Sequence, residues 1–226
     1  MTPAELQAIW LTLKLAAVTL VFLLAVGTPL AWWLSRRRSN LSAFIESLVA
    51  LPLILPPTVL GFYLLLMFAP NTAIGELWQQ LTGSQLAFSF NALVIGSFIY
   101  SLPFVVQPLQ SAFSQVPANL LHAAATLGAT PLDQFCSIIL PLCKRSFVTA
   151  SSLGFAHTIG EFGVVLMIGG NIPGETRVLS IALYDQVESL QFAEAHRLAG
   201  GLMVFSIILL FLLYRSNPQG LWRSNT

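Results

Sequence analysis

With 226 residues, 56% hydrophobic, 8% charged and a formal net charge of +1, the chain is far poorer in charge than a water-soluble domain, in which about a quarter of residues are charged. A mean hydropathy of +0.79 points to an integral membrane protein. Ten Lys and Arg set against nine Asp and Glu leave no basic excess, and nucleic acid is not an expected partner.

Crossing about 30 Å of hydrocarbon takes an α-helix about 20 apolar residues. Five runs qualify or nearly qualify: 11–34, 48–69, 88–106, 146–168 and 198–214. The first is too long for a secretory signal, has no basic start and is followed by Arg36, Arg37 and Arg38, so a retained span is expected. Lys14 in its outer turns, and Arg197 just before the last run, are expected to snorkel to the interface. The second run opens on Pro52, Pro56 and Pro57, which remove backbone donors and clash with the preceding turn, so no straight helix begins cleanly there. Freed carbonyls at membrane depth must face protein or water, which makes Pro56, Pro57 and Thr58 candidate pathway walls, with a packing kink as the alternative.

Between the third and fourth runs lies segment 107–145, too long for a tight turn and too apolar for a disordered linker. Pro117 suits the first turn of a helix, Asn119 is a candidate cap, and Leu120, Leu121, Ala124 and Leu127 form an apolar stripe at helical spacing. Gly128 supplies the C-terminal break. Thr130 and Pro131 then start a second helix that carries Phe135, Ile138 and Ile139 towards Pro141 at the membrane surface. The small side chains Ala123 to Ala125 would let the first of these helices enter another protein's cleft closely; the alternative is a hairpin packed on its own bundle.

The fourth run contains His157 and Glu161, four apart and expected on one helix face. Ionisable side chains inside spans usually face a bundle interior or a water-filled route, so His157, Glu161 and the neighbouring Gly163 are candidate pathway residues. A mutual structural hydrogen bond between the pair is the competing reading. Gly154, Gly160, Gly169 and Gly170 let neighbouring backbones approach closely. Beyond the run, Asn171-Ile-Pro-Gly-Glu-Thr-Arg177 is turn chemistry, and 178–190 reads as a short helix lying at the outer surface or dipping in as a gate.

Basic residues set the orientation. Arg36, Arg37, Arg38, Lys144, Arg145, Arg215 and Arg223 fall on one side of a five-span chain, against Arg177 and Arg197 on the other, which predicts an external N-terminus and a cytoplasmic C-terminus. Segment 107–145 is then cytoplasmic within a single transmembrane domain, 1–226. Cys136 and Cys143 have no CxxC or His neighbours and read as reduced apolar filler. No Walker A, GxGxxG or HExxH string occurs, so any ATP is bound by another subunit. No internal duplication is visible either, and a symmetric pathway therefore needs a second copy of the chain.

The spacing His122-Ala-Ala-x3-Gly128-x9-Ile138-x-Leu140-Pro141 resembles the "EAA" loop of the membrane subunits of bacterial ABC importers, with His122 in the place of the motif's acid. That resemblance implies that Leu121, His122, Ala123, Ala124, Ala125, Thr126, Leu127, Gly128 and Ala129 dock on an ATPase. More widely, the strings Leu51-Pro-Leu-Ile-Leu-Pro-Pro-Thr-Val-Leu-Gly61, Gly160-Glu-Phe-Gly163 and Asn171 to Arg177 are similar to those of the molybdate ABC-transporter permeases, with His157 where that family's pattern has arginine. The resemblance implies an all-α, type I importer permease fold of about five spans in a bacterial inner membrane. It also implies a homodimer in lipid, two cytoplasmic ATPase subunits carrying ATP and Mg, and an extracytoplasmic molybdate-binding protein, with no cofactor on this chain and no enzymatic activity in it. Tungstate and sulfate permeases share this vocabulary. Two readings from other classes remain: a secondary transporter driven by protons through His157 and Glu161, and an intramembrane enzyme using that pair or Tyr184-Asp185, for which no second intramembrane aspartate and no HExxH is present.

Overall fold

A computed structural model describes residues 2–216, and all regular structure among them is helical. In chain order the helices are α1 (Pro3–Arg36), α2 (Asn40–Ala50), α3 (Pro57–Phe68), α4 (Ala73–Thr82), α5 (Phe90–Ser114), α6 (Ala118–Thr126), α7 (Pro131–Gln134), α8 (Leu140–Gly160), α9 (Gly163–Gly169), α10 (Leu179–Glu188) and α11 (Phe192–Ser216). Helices α1, α5 and α11 are each long and apolar enough to cross a membrane unbroken. Helix α1 begins earlier than the apolar run requires because Thr2 and Glu5 form a capping box, each side chain bonding the other's backbone N–H. Helix α5 continues past Val106 to Ser114, taking in the first residues of the expected loop, and it carries Pro103 and Pro108 internally.

The other two expected spans are broken. Segments Asn40–Leu53 and Pro57–Phe68 meet at a bend of 111°, so 48–69 is not one straight span. The 3-10 turn Leu51–Leu53 and the run Pro56-Pro57 force the change of direction, since neither proline donates a backbone hydrogen bond. Helix α3 alone rises only about 18 Å. The fourth run bends by 58° between Pro131–Gly160 and Gly163–Gly169.

Contacts along the bundle assign the loops to two ends. At one end the Leu179 amide donates to Thr12 Oγ1 at 2.7 Å, and Glu5 Oε1 accepts from Gln186 Nε2 at 3.3 Å and pairs with Arg197 at 3.6 Å. Arg197 is thus ion-paired rather than simply snorkelling, and Lys14 Nζ lies 4.6 Å from the centre of the Phe90 ring. Helix α10 is not a free surface helix, because Leu179, Ile181 and Ala182 are buried. At the other end the Arg36 guanidinium donates to the carbonyls of Phe113 and Val116 at 3.2 and 3.3 Å and covers the Trp32 ring. Arg223 lies outside the described residues.

Two large apolar clusters fill the bundle, and a smaller third one of Ala8, Leu179, Ala182 and Leu198 joins α1, α10 and α11. Of the large pair, the one nearer the α10 end includes Leu15, Phe68, Leu93, Val164 and Ile168; the one nearer Arg36 includes Leu23, Val105, Leu109, Phe113 and Ala150. Between them, on successive turns of α1, α5 and α8, lie the buried polar side chains Thr19, Ser97, Ser101 and Thr158, with Glu161 just beyond the end of α8. Cys143 is buried in the second cluster as expected of filler, whereas Cys136 is exposed.

Candidate functional site

The two broken spans meet at this polar layer. The break after α8 and the start of α3 face each other across a crevice of about 480 Å³ lined by Pro57, Thr58, Tyr100, His157, Gly160, Glu161, Phe162 and Gly163. Five of the six pathway candidates read from the sequence therefore converge; Pro56 does not line the crevice but caps α3, its carbonyl accepting from the Val59 amide at 2.9 Å. The approach is close because two glycines permit it. A Cβ on Gly163 would lie 2.7 Å from Pro57 Cβ, and one on Gly61 would lie 2.7 Å from Met167 Cβ.

His157 and Glu161 both line the crevice but do not form the mutual hydrogen bond of the competing reading. Glu161 has left the helix, with φ −69° and ψ 133°, so four residues of separation no longer place the two on one face. His157 instead has Nδ1 2.9 Å from Ser101 Oγ, stacks on Phe104 with ring centres 3.9 Å apart, and meets Tyr100 at 4.8 Å. Ser101 Oγ also lies 3.1 Å from Thr158 Oγ1, which donates to the Gly154 carbonyl. Glu161 is 4% exposed, and its carboxyl lies beside the Ser97 hydroxyl without a well-formed hydrogen bond to it or to any other group among the described residues. Its backbone carbonyl accepts from Ser180 Oγ at 2.6 Å, which ties the break to α10. Ser97 and Ser101 were missed in the sequence, although two hydroxyls four apart on an apolar helix are a readable polar stripe.

The second candidate region is the α6 hairpin. Pro117, not Asn119, stands at the N-cap of α6, and the Asn119 side chain only accepts from the adjacent Leu120 amide. The expected stripe does not pack as a unit: Leu121 alone joins the lower cluster, while Leu120 is exposed and Leu127 is 88% exposed. Gly128 ends the helix at φ +86°, with its amide donating to the Ala125 carbonyl and the Ala129 amide to the Ala124 carbonyl. His122, Ala123, Ala125 and Thr126 are exposed, and Ala124 and Ala129 are half-buried.

Thr130 then caps α7 in a box with Asp133, whose carboxylate is held below the usual carboxylate range by the Thr130 hydroxyl first and the Thr130 amide second. The chain does not stop at Pro141. It passes through a π-turn, Phe135–Ile139, in which the Leu140 amide reaches back to the Phe135 carbonyl, and that widened turn accommodates a proline in the first turn of α8. The hairpin is thereby joined end to end with the helix that terminates at the crevice.

Tyr184-Asp185 is a structural corner: Asp185 accepts from Asn171 Nδ2 at 3.1 Å and pairs with Arg177 at 3.7 Å. Thr176, which no sequence signal singled out, is fully buried and donates to the Gly169 carbonyl at 2.6 Å, holding the turn before α10 against α9. Among the described residues no group of three or more His, Cys, Asp and Glu is placed to hold a metal ion.

Broken spans meeting at a buried polar layer, and a small-residue helix held outside the bundle on a helical arm, are the build of a multi-pass membrane protein. The model of a family described as "Binding-protein-dependent transport system inner membrane component" matches residues 27–216. The chain is 56% identical over 212 residues to the "Molybdenum transport system permease protein ModB" of Azotobacter vinelandii, covering 94% of each chain. It is 31% identical over 209 residues to the "Sulfate transport system permease protein CysT" of Escherichia coli (strain K12), covering 92% of this chain and 75% of that one. Its fold is similar to that in a bacterial alginate ABC transporter crystallised with a pentasaccharide-bound periplasmic protein, with a TM-score of 0.73, 18% identity, and coverage of 96% and 78%. The chain belongs to the family of binding-protein-dependent transport system inner membrane components.

Proposed function

We propose that this chain is the permease subunit of an ABC importer that carries molybdate into the cell, working as a homodimer in the bacterial inner membrane with its N-terminus outside. Two ATPase subunits bearing ATP and Mg would engage the face around His122, Ala123, Ala125 and Gly128, and an extracytoplasmic binding protein would deliver the oxyanion at the opposite end. The observation that carries the reading is mechanical: the uncovered face of α6 is joined through α7 and the π-turn to α8, and α8 ends at the crevice walled by Pro57 and Gly163. Movement of a docked partner is thus delivered along a helix of 21 residues to the place where the two broken spans meet. The high identity with a molybdenum permease supports molybdate as the cargo. The orientation is supported by the basic residues gathered with Arg36 at the end that bears α6.

An oxyanion passing such a crevice needs donors but no deep well, since tight binding slows release. Thr58, Tyr100 and His157 supply donor groups along the crevice wall. The test is uptake into proteoliposomes holding the complete transporter. Molybdate entry should require ATP, the ATPase and the binding protein, and should persist with an uncoupler; entry without the ATPase that collapses with an uncoupler refutes the proposal in favour of a proton-driven carrier. The likeness to a sulfate permease supports a second cargo reading, a related oxyanion such as sulfate or tungstate, which competition among the three anions decides.

A further inference from the structure

The break after α8 gathers more unpaired oxygen atoms than a crevice wall requires. No amide beyond Gly160 closes the last turn of α8, so among the described residues the carbonyls of Thr158, Ile159 and Gly160 accept no backbone hydrogen bond. They form the negative end of a helix of 21 residues. Directly after them stands the Glu161 carboxyl, 4% exposed. Both its oxygens and the Ser97 hydroxyl beside it are buried without a well-formed bond, so the first amides of α9 and α3 do not cap it. No cation of the chain answers this concentration of negative groups. The ion pairs among the described residues involve Glu5, Asp185 and Glu194, and His157 bonds Ser101.

An ionised carboxyl is not sustained inside a bundle without a countercharge. The crevice of about 480 Å³ that Glu161 borders gives a small ion a way in. The groups on offer are carboxylate, hydroxyl and carbonyl oxygens, the ligands of a hard cation, and freed carbonyls at the end of a broken helix are the kind that hold one inside a membrane protein. A transition metal is not suited, since no group of three His, Cys, Asp and Glu stands together among the described residues. Charge sets the valence. Glu161 is the only acid lining the crevice among the described residues, so a single positive charge leaves the site neutral, whereas a divalent ion would leave an excess charge in the bundle.

We infer that the break between α8 and α9 binds a monovalent alkali cation through the Glu161 carboxylate, the Ser97 hydroxyl and the freed carbonyls at the end of α8. The ion joins α5 to the end of α8 and so fixes the direction in which α9 leaves the break towards Pro57. The site stands on this geometry and does not depend on which anion the chain carries.

The test is thermal unfolding of the full-length chain in detergent, at fixed ionic strength, in sodium, potassium or N-methyl-D-glucamine chloride. No oxyanion, ATPase or binding protein is added, so the outcome is independent of the transport reading. At least one alkali salt should raise the unfolding temperature saturably over N-methyl-D-glucamine and slow hydrogen exchange over 158–166. E161Q, which keeps the shape and removes the charge, should abolish both effects, and S97A should raise the half-saturating cation concentration by at least about threefold. Glu161→Met should melt above wild type in N-methyl-D-glucamine and lose that lead in the stabilising salt. Equal unfolding temperatures of wild type in all three salts overturn the inference, as does a salt effect retained by E161Q. Stability that responds to pH and not to the cation shows the carboxyl held as the acid, and overturns it too. Should E161Q not fold, the S97A shift decides, and its absence counts against the site.

Discussion

Replacing Gly163 with alanine tests whether the close approach of α9 to α3 is part of the transport machinery. The new Cβ would stand 2.7 Å from Pro57 Cβ, while carbon atoms in contact prefer about 3.5–4.0 Å, so the two helices must separate by roughly 1 Å. Pro57 cannot rotate away, because its Cβ is part of a ring fixed to the backbone. Overpacking of this kind costs about 1–3 kcal/mol. Borne by only one of two conformational states, the same misfit shifts their ratio by about 5–150-fold. The expected result is a lowered unfolding temperature in detergent, normal membrane insertion and an uptake rate reduced at least several-fold. P57G, which removes the opposing Cβ, should restore part of both losses in G163A, giving a favourable coupling of more than about 0.5 kcal/mol in a double-mutant cycle on stability. Full uptake and unchanged stability in G163A, or additive effects of the two substitutions, would refute the reasoning.

Three further outcomes follow from the same geometry. Gly128→Asp meets no atom within 4 Å but strains the backbone at φ +86° and places a charge in the proposed docking face; uptake and co-purification of the ATPase should be lost with insertion intact, and normal uptake would remove Gly128 from the docking proposal. Glu161→Met replaces a carboxyl that is 4% exposed with only a poorly formed contact to the Ser97 hydroxyl, and an unsatisfied buried polar group costs about 1–3 kcal/mol. The variant should unfold at higher temperature yet transport more slowly, and unchanged uptake would reduce Glu161 to a structural residue. Thr176→Val deletes the 2.6 Å bond to the Gly169 carbonyl and should cost about 1–3 kcal/mol by thermal unfolding, with faster hydrogen exchange over 170–178; a wild-type exchange profile there would show that the turn is held by packing alone.

The helix ends around segment 107–145 were readable because they are set by near neighbours: Gly128 takes a positive φ, and Thr130 bonds Asp133 three residues on. At Pro141 the sequence was silent, because a proline forbids one hydrogen bond but does not say whether the chain stops or widens into a π-turn; the chain takes the turn, with Phe135 and Ile139 packed on the second cluster. His157 and Glu161 misled for a related reason. Periodicity places two residues on one face only while the helix continues, and the helix ends at Glu161, where α9 begins to pack against α3.

Composition by itself determined that this is a membrane protein, and Pro52, Pro56 and Pro57 marked the break in the second run, because hydropathy and backbone freedom are properties of single residues and their immediate neighbours. The meeting of Pro57 with Gly163, the partnering of His157 with Ser101 rather than Glu161, and the placing of Ser97 beside Glu161 were decided only in three dimensions. Each depends on the direction in which a broken helix leaves its break, and that direction is chosen by side chains far away along the chain.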